Sequence, residues 1–397
     1  MSDPSGHSGF HAKTLTIVGA GPAGLVCAIV LARAGWRVVV REMKAEVGGR
    51  FQGDFQGLEN WTEENNILQD LRAEGVEAGF DAHPVFGGTA FDAWGGRYDI
   101  TSTQPLYYLV RRGPELGTLD RGLLEFALAV GVDVHFNDRV RRTEGPTVLA
   151  AGPRVADAIA AGYVFETKMA DGSWICFDSS LAPKGYAYLL IHGGRGTVAS
   201  CMFSGFKRQA DYVEATVDMF RDRAGLDMQN PRPFGGYANF RLPRDGFQGG
   251  HMAIGEQAGF QDALAGFGMR YALRSGILAA RALIEGGDYT QLWRAALQAP
   301  LRTSVSNRFI FNLVGDHGWR WMLRRRLVKG DARPMLRRLY QPSLLTRTVF
   351  PLALKYYRHA LRDRSCDHKD CACVWCRCGD AENHHVAAPS LMEDGKD

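Results

Sequence analysis

"TLTIVGAGPAGLVCAIVLARAGWRVVVRE", residues 14–42, decides the fold. Apolar alternation at 15–18 reads as a strand, Gly19 as a tight turn, the small and apolar residues up to Gly35 as a helix, and residues 37–42 as a second strand. This is the opening strand–helix–strand of a doubly wound sheet. Gly19, Gly21 and Gly24 spell G-x-G-x-x-G between that strand and that helix, with Ala23 inside the motif. The first glycine permits the turn, the second lets the backbone approach a pyrophosphate, and the third lets the helix pack close to the sheet. The anion would sit at a helix N-terminus, where unpaired N–H groups and the helix dipole favour negative charge. Glu42, 21 residues beyond Gly21, ends the second strand, where a carboxylate accepts hydrogen bonds from a ribose diol. A dinucleotide site is the expectation.

Around this stretch lies an ordinary globular composition, 46% hydrophobic and 23% charged in 397 residues, enough for two or three domains. The first residues lack the pattern of a secretory signal and no long apolar run follows, so a cytoplasmic protein is expected. Of eight cysteines, Cys27, Cys176 and Cys201 are scattered and the other five lie within thirteen residues, which is a local cluster and not a disulfide framework. "FDAWGGRYDIT" (91–101) reads as two strands around a Gly95-Gly96 turn, residues 119–130 as a helix, and "GYAYLLIHGGRGTVASCMF" (185–203) as two strands of a separate sheet. The fold class is therefore α/β, a Rossmann-like nucleotide domain with an inserted β-rich substrate domain and a C-terminal helical region. The nucleotide domain takes residues 12–72, 105–160 and 245–290; the substrate domain 73–104 and 161–244; a basic helical region 291–365; and a Cys-rich tail 366–397.

Three further segments extend the first motif. Gly48, Gly49 and Arg50 resemble the second glycine motif of two-dinucleotide-binding flavoproteins, and "VLAAGP" (148–153), with Ala151 and Gly152, resembles the strand and turn beside the adenine side of FAD. "AIGEQAGFQDALAGFGMRYALRSGILAARAL" (253–283) resembles the G-D-A-A-G segment of FAD enzymes with the p-hydroxybenzoate hydroxylase type of fold. That resemblance implies cofactor contacts at Gly255, Glu256, Gly266, Gly268 and Met269, with Glu256 standing where the family has Asp. In this order the segments, over residues 12–290, look most like the geranylgeranyl reductase family of FAD-dependent oxidoreductases. "LVRRGPELGTLDRGLLEFALAVGVDVHF" (109–136) resembles the family's Arg-containing strand and following helix, which implies a cofactor-side role for Arg112. "APKGYAYLLIHGGRGTVA" (182–199) resembles its P-x-G-Y strand pair, but Tyr188, residues 189–191 and His192 replace the aromatic and Phe-Pro pair that follow in the family.

The resemblance implies reduction of carbon–carbon double bonds in an isoprenoid or other apolar lipid-like substrate. Such a reaction needs a reduced flavin face, an apolar pocket and a proton donor. Tyr186, Tyr188 and His192 share one face of their strand and are the candidate donors, against a plainer reading as packing and loop residues. A single dinucleotide fingerprint leaves two electron sources open: transiently bound NAD(P)H, or a ferredoxin-type donor protein. Competing functions are an FAD-dependent monooxygenase and a non-catalytic flavoprotein or metal-carrying partner.

Residues 319–364 hold thirteen Lys or Arg and two Asp, interleaved with Trp, Leu, Tyr and Phe. Two readings stand together: a helical face docking at the inner surface of a membrane, or a helical subdomain whose arginines face water. Nucleic acid is not expected, since no recognition motif accompanies the charge. In the tail, Cys366, Cys371, Cys373, Cys376 and Cys378 are soft ligands suited to zinc or an iron–sulfur cluster, in a spacing that matches neither a zinc ribbon nor a ferredoxin run. Thiol redox chemistry and a tail without function are the alternatives.

Overall fold

The computed structural model describes residues 13–360, apart from positions 144, 154, 155, 241 and 329. The chain opens with β1 (Thr14–Val18), α1 (Pro22–Arg33) and β2 (Arg37–Arg41), the two strands parallel with Leu15 beside Val38 and Ile17 beside Val40. All four of those side chains lie on one face of the sheet and are buried, while Thr16, Val18 and Val39 on the other face are half-buried. Helix α1 carries no polar stripe: its residues from Ala23 to Leu31 are all buried. A helix apolar all round must be enclosed.

The next elements are β3 (Phe55–Glu59), α2 (Ile67–Ala73), β4 (His83–Val85), β5 (Gly87–Asp92) and β6 (Arg97–Thr101), then β7 (Tyr107–Arg111), α3 (Leu119–Ala129), β8 (Asp133–His135) and β9 (Thr147–Leu149). A β-rich stretch follows: β10 (Ala158–Glu166), β11 (Gly172–Phe177), β12 (Tyr186–His192), β13 (Arg195–Met202), α4 (Gln209–Ala224) and β14 (Gln229–Ala238). The chain then makes β15 (Phe247–Gln248), β16 (His251–Ala253), the short α5 (Gly255–Ala258) and α6 (Met269–Glu285). It ends in α7 (Tyr289–Trp293), α8 (Ala299–Met322), α9 (Ala332–Tyr340) and α10 (Leu344–Ala360).

Three sheets result. The nucleotide sheet has the order β15-β16-β9-β1-β2-β8, parallel except for the β15 edge. The second has seven strands in the order β14-β10-β13-β12-β11-β5-β6, and the third is the antiparallel β3-β7-β4. Strand β4 thus pairs with β7, whereas β5 and β6 close the large sheet. Alternation along β12 divides that sheet's faces: Ala187, Leu189 and Ile191 pack with Val217 and Phe220 of α4, leaving Tyr186, Tyr188 and Leu190 on the opposite side.

That opposite side is covered by the third sheet and the C-terminal helices. Phe177, Trp319 and Phe311 stack in series with ring centroids 4.0 and 4.3 Å apart, beside Leu264, Met322 and Tyr340. Helix α8 breaks at Gly315 (φ 55°, ψ −145°), which swings Trp319 onto the sheet. Some of the basic residues are structural. Arg333 is buried and donates to the carbonyls of Asn60, Glu63 and Glu64 and to Gln104. Arg308, likewise buried, donates to the carbonyls of Ala263, Leu264 and Lys184 and lies 3.7 Å from the centre of the Phe203 ring.

Candidate functional site: a groove across the parallel sheet

Each glycine of the first motif does separate work. Gly19 has φ 110°, and a Cβ there would lie 2.4 Å from the Ala150 carbonyl oxygen; a Cβ on Gly24 would lie 2.1 Å from the Gly19 carbonyl oxygen. Gly21 begins α1 without a side-chain cap, and nothing lies within 4 Å of its Cβ position. Two glycines therefore close the turn, and the third opens the helix start to a ligand. Glu42 is anchored beside the loop, accepting from Ala20 N at 2.8 Å and Lys44 N at 2.9 Å. An ionised carboxylate keeps lone pairs for a diol after two such bonds. Gly255, at φ 59°, packs on α1: a Cβ there would lie 2.8 Å from that of Ala23.

The later motifs converge on the same groove. Gly49 is followed by Arg50, which bridges to Glu256 at 3.2 Å. Glu256 also accepts from Asn239 N at 3.0 Å; burial pushes its carboxyl up, and Arg50 opposes the shift. Ala151 N donates to Gln257 Oε1 at 2.6 Å, and Gly152, at φ 85°, has open space around its Cβ position. Gly266 adopts φ 82°, Gly268 is crossed by the Gln261 side chain, and Met269 begins α6, a second helix start without a side-chain cap. Arg112 is different in kind. It is buried, held by two 2.8 Å bonds to Asp120, and stacked 4.1 Å from the centre of the Phe51 ring, whose other neighbour is Arg50. Its charge is matched by Asp120, and it packs against the Phe51 ring that also carries Arg50.

Glycine-lined space, two uncapped helix starts and anchored carboxylates fit a dinucleotide. Two buried acceptors add to this: Gln52 Oε1 and Asn239 Oδ1 have no hydrogen-bond partner among the described residues. Neither was foreseen from sequence, nor was Asp54, which is 1% exposed and accepts from Gln52 N and Gln56 Nε2. Burial pushes the Asp54 carboxyl up, against those bonds and the charge of Arg112. The sequence signal was a lone acid among apolar and amide residues in "RFQGDFQG".

Of the three candidate donors, the structure separates one. Tyr186 donates to the Ala265 carbonyl at 2.5 Å and so clasps the loop before Gly266. Tyr188 lies against Val164, Ala199 and Phe234, and burial followed by the Asp54 charge holds its hydroxyl well above the usual phenol range. His192 stands six residues along β12 from Tyr186, roughly 20 Å at strand spacing. Its Nδ1 is 2.8 Å from Asp171, and its ring lies 3.6 Å from that of His83. Tyr186 and His192 therefore cannot serve one reacting atom.

The five tail cysteines lie outside the described residues. Among the described residues no group of three or more His, Cys, Asp or Glu is placed to hold a metal ion. Burial pushes the thiols of Cys27 and Cys176 up to about 12 and that of Cys201 up to about 11, which removes them as thiolates at neutral pH.

Residues 17–56 match the family model described as an NAD(P)-binding Rossmann-like domain. No curated protein matches the chain. Among solved structures, a geranylgeranyl bacteriochlorophyll reductase-like protein from Thermoplasma acidophilum is similar at 15% identity and TM-score 0.65, over 87% of this chain and 99% of that one. The flavin-dependent brominase Bmp2 is similar at 17% identity and TM-score 0.57, over 87% and 98%. A flavoprotein/dehydrogenase from Cytophaga hutchinsonii is similar at 16% identity and TM-score 0.58, over 87% and 100%. The chain has the fold of flavin-dependent oxidoreductases and monooxygenases, as the resemblance in its motifs implied.

Proposed function

We propose that the groove binds FAD and that the chain is a reductase of carbon–carbon double bonds in an isoprenoid or other apolar lipid-like substrate. The observation that carries this reading is the side of the large sheet opposite α4. There Tyr186, Phe177, Trp319 and Phe311 form an aromatic series next to the Ala265–Gly266 loop. Apolar walls of this kind favour a substrate with little polar surface. Bound reduced flavin would supply the hydride.

The chain's own contributions are orientation and a proton. Gly19, Gly21 and Gly24 with the α1 start would hold the pyrophosphate; Glu42 would hold the adenosine ribose; Glu256, Arg50, Gly266, Gly268 and Met269 would hold the flavin end. Ala151 and Gly152 would border the adenine. Tyr188, with Asp54 as its neighbouring acid, would protonate the second carbon; it stands one strand repeat from Tyr186, roughly 7 Å. Tyr186 would position the loop. The electron donor on this reading is NAD(P)H or a ferredoxin-type protein.

Stopped-flow absorbance of the anaerobically reduced protein tests the reading, mixed in one series with polyprenyl lipids and in another with oxygen. Flavin reoxidation by lipid, with a slow oxygen reaction, is expected. Reoxidation by oxygen within milliseconds through a flavin adduct, with lipid inert, would replace the reductase by a monooxygenase.

A further inference from the structure

Helix α10 packs one side inward: Thr346 and Ala353 are buried, and Val349 and Phe350 join Val305 and Phe309 of α8. An amphipathic surface helix then turns polar residues to water. Here the outer side is apolar. Leu344 is 82% exposed, Leu345 60% and Leu352 58%, with Tyr356 at 37%. At about 100° per residue, Leu345, Leu352 and Tyr356 fall within roughly 40° of one another, and Lys355 and Thr348 border them. The Phe309–Tyr356 ring contact of 5.4 Å extends the patch to α8, where Leu313, 71% exposed, stands one turn beyond Phe309.

The charge that borders the leucines on α10 is positive. Of the cations exposed on α10, Lys355 borders the leucines, whereas Arg347 lies roughly 140–180° round the helix from them. In residues 313–360 the carboxylates are Asp316 and Asp331, and both are engaged, Asp316 with Ser179 and Asp331 with Ser102 and Thr103. A second copy of the same face would offer Lys355 only carboxylates that are already engaged, whereas an anionic lipid surface supplies both phosphate and an apolar boundary. No described helix is long and apolar enough to cross a membrane, so the contact is one of lying on the surface.

We propose that the outer face of α10, with the Leu313 turn of α8, docks the protein on an anionic bilayer. The inference is independent of the flavin reading, since vesicle binding requires no turnover. The test is sedimentation of the full chain with sucrose-loaded phosphatidylcholine vesicles, with and without phosphatidylglycerol. The phosphatidylglycerol vesicles are expected to carry the protein down, and added salt to release it. Leu345→Ser with Leu352→Ser should weaken binding about tenfold or more. Lys355→Ala should weaken it about fivefold at low salt, whereas Arg347→Ala, on the other side of the helix, should leave it nearly unchanged. An unchanged thermal melt of each variant would exclude misfolding as the cause. The proposal is overturned if the wild-type chain stays in the supernatant with both vesicles or binds both equally. It is also overturned if the leucine variants bind as the wild type does, or if ultracentrifugation shows a dimer that the leucine variant abolishes without any vesicle binding.

Discussion

Helices α1 and α9 begin in opposite ways. The first residues of any helix leave N–H groups without partners. At α1 no side chain caps them, and Gly21 leaves clear space in front. At α9 the Asp331 carboxylate accepts from Arg333 N and also ties Ser102 and Thr103, while Arg333 locks onto the loop at residues 60–64. One helix start is left open for a ligand and the other is closed by the chain itself. A site can thus be recognised by what the chain declines to satisfy, and a brace by what it satisfies several times over.

The sharpest way to break this comparison is at the glycines. Gly24→Ala places a methyl group against the Gly19 carbonyl and should cost about 3 kcal/mol or more, with loss of flavin from the purified protein. Gly21→Ala meets open space and should keep its melting temperature while FAD affinity falls about tenfold or more. If both substitutions lower stability alike, the open helix start is not a binding feature. Thermal melts and flavin titration decide between these outcomes.

The brace should respond through stability. Arg333→Ala removes a buried guanidinium with four hydrogen bonds and should cost about 3 kcal/mol in urea unfolding, and Asp331→Ala about 1–2 kcal/mol. Flavin affinity per folded molecule should hardly change. A large fall in affinity in either variant would merge the two regions into one.

On the sheet between them, Tyr188→Phe should slow substrate reduction about tenfold to a hundredfold with FAD affinity intact. Tyr186→Phe should instead loosen the Ala265 loop and weaken FAD binding. Reversed phenotypes would exchange the two roles.

The smallest effect is in the pH dependence of stability. Burial raises the Glu256 and Asp54 carboxyls, so the folded cofactor-free protein binds those protons more tightly than the unfolded chain. Their contribution is fully present below the ordinary carboxylate range and is lost as pH climbs through the raised values. Glu256→Gln and Asp54→Asn should each flatten that decline. Asp331 has the opposite sign: despite partial burial, hydrogen bonds from Thr103 and Ser102 hold it at about 2, so its contribution appears above the ordinary carboxylate range and is lost as pH falls through about 2.

What the sequence by itself determined was the nucleotide half. Gly19, Gly21, Gly24 and Glu42 act within one strand–turn–helix–strand, and a backbone that needs positive φ or close approach leaves a local trace in glycine spacing. The β12–β13 hairpin and the α3 helix were legible for the same reason, through alternation and period. Tertiary structure alone decided that Asp54 lies near Tyr188, that His192 is turned to Asp171 and away from Tyr186, that Arg333 is a brace, and that α10 shows leucine to water. The meetings of Asp54 with Tyr188 and of Arg333 with Asn60 span more than a hundred residues, and that of His192 with Asp171 depends on how neighbouring strands pair. A lone acid or arginine carries no periodic signal of the partner it will find.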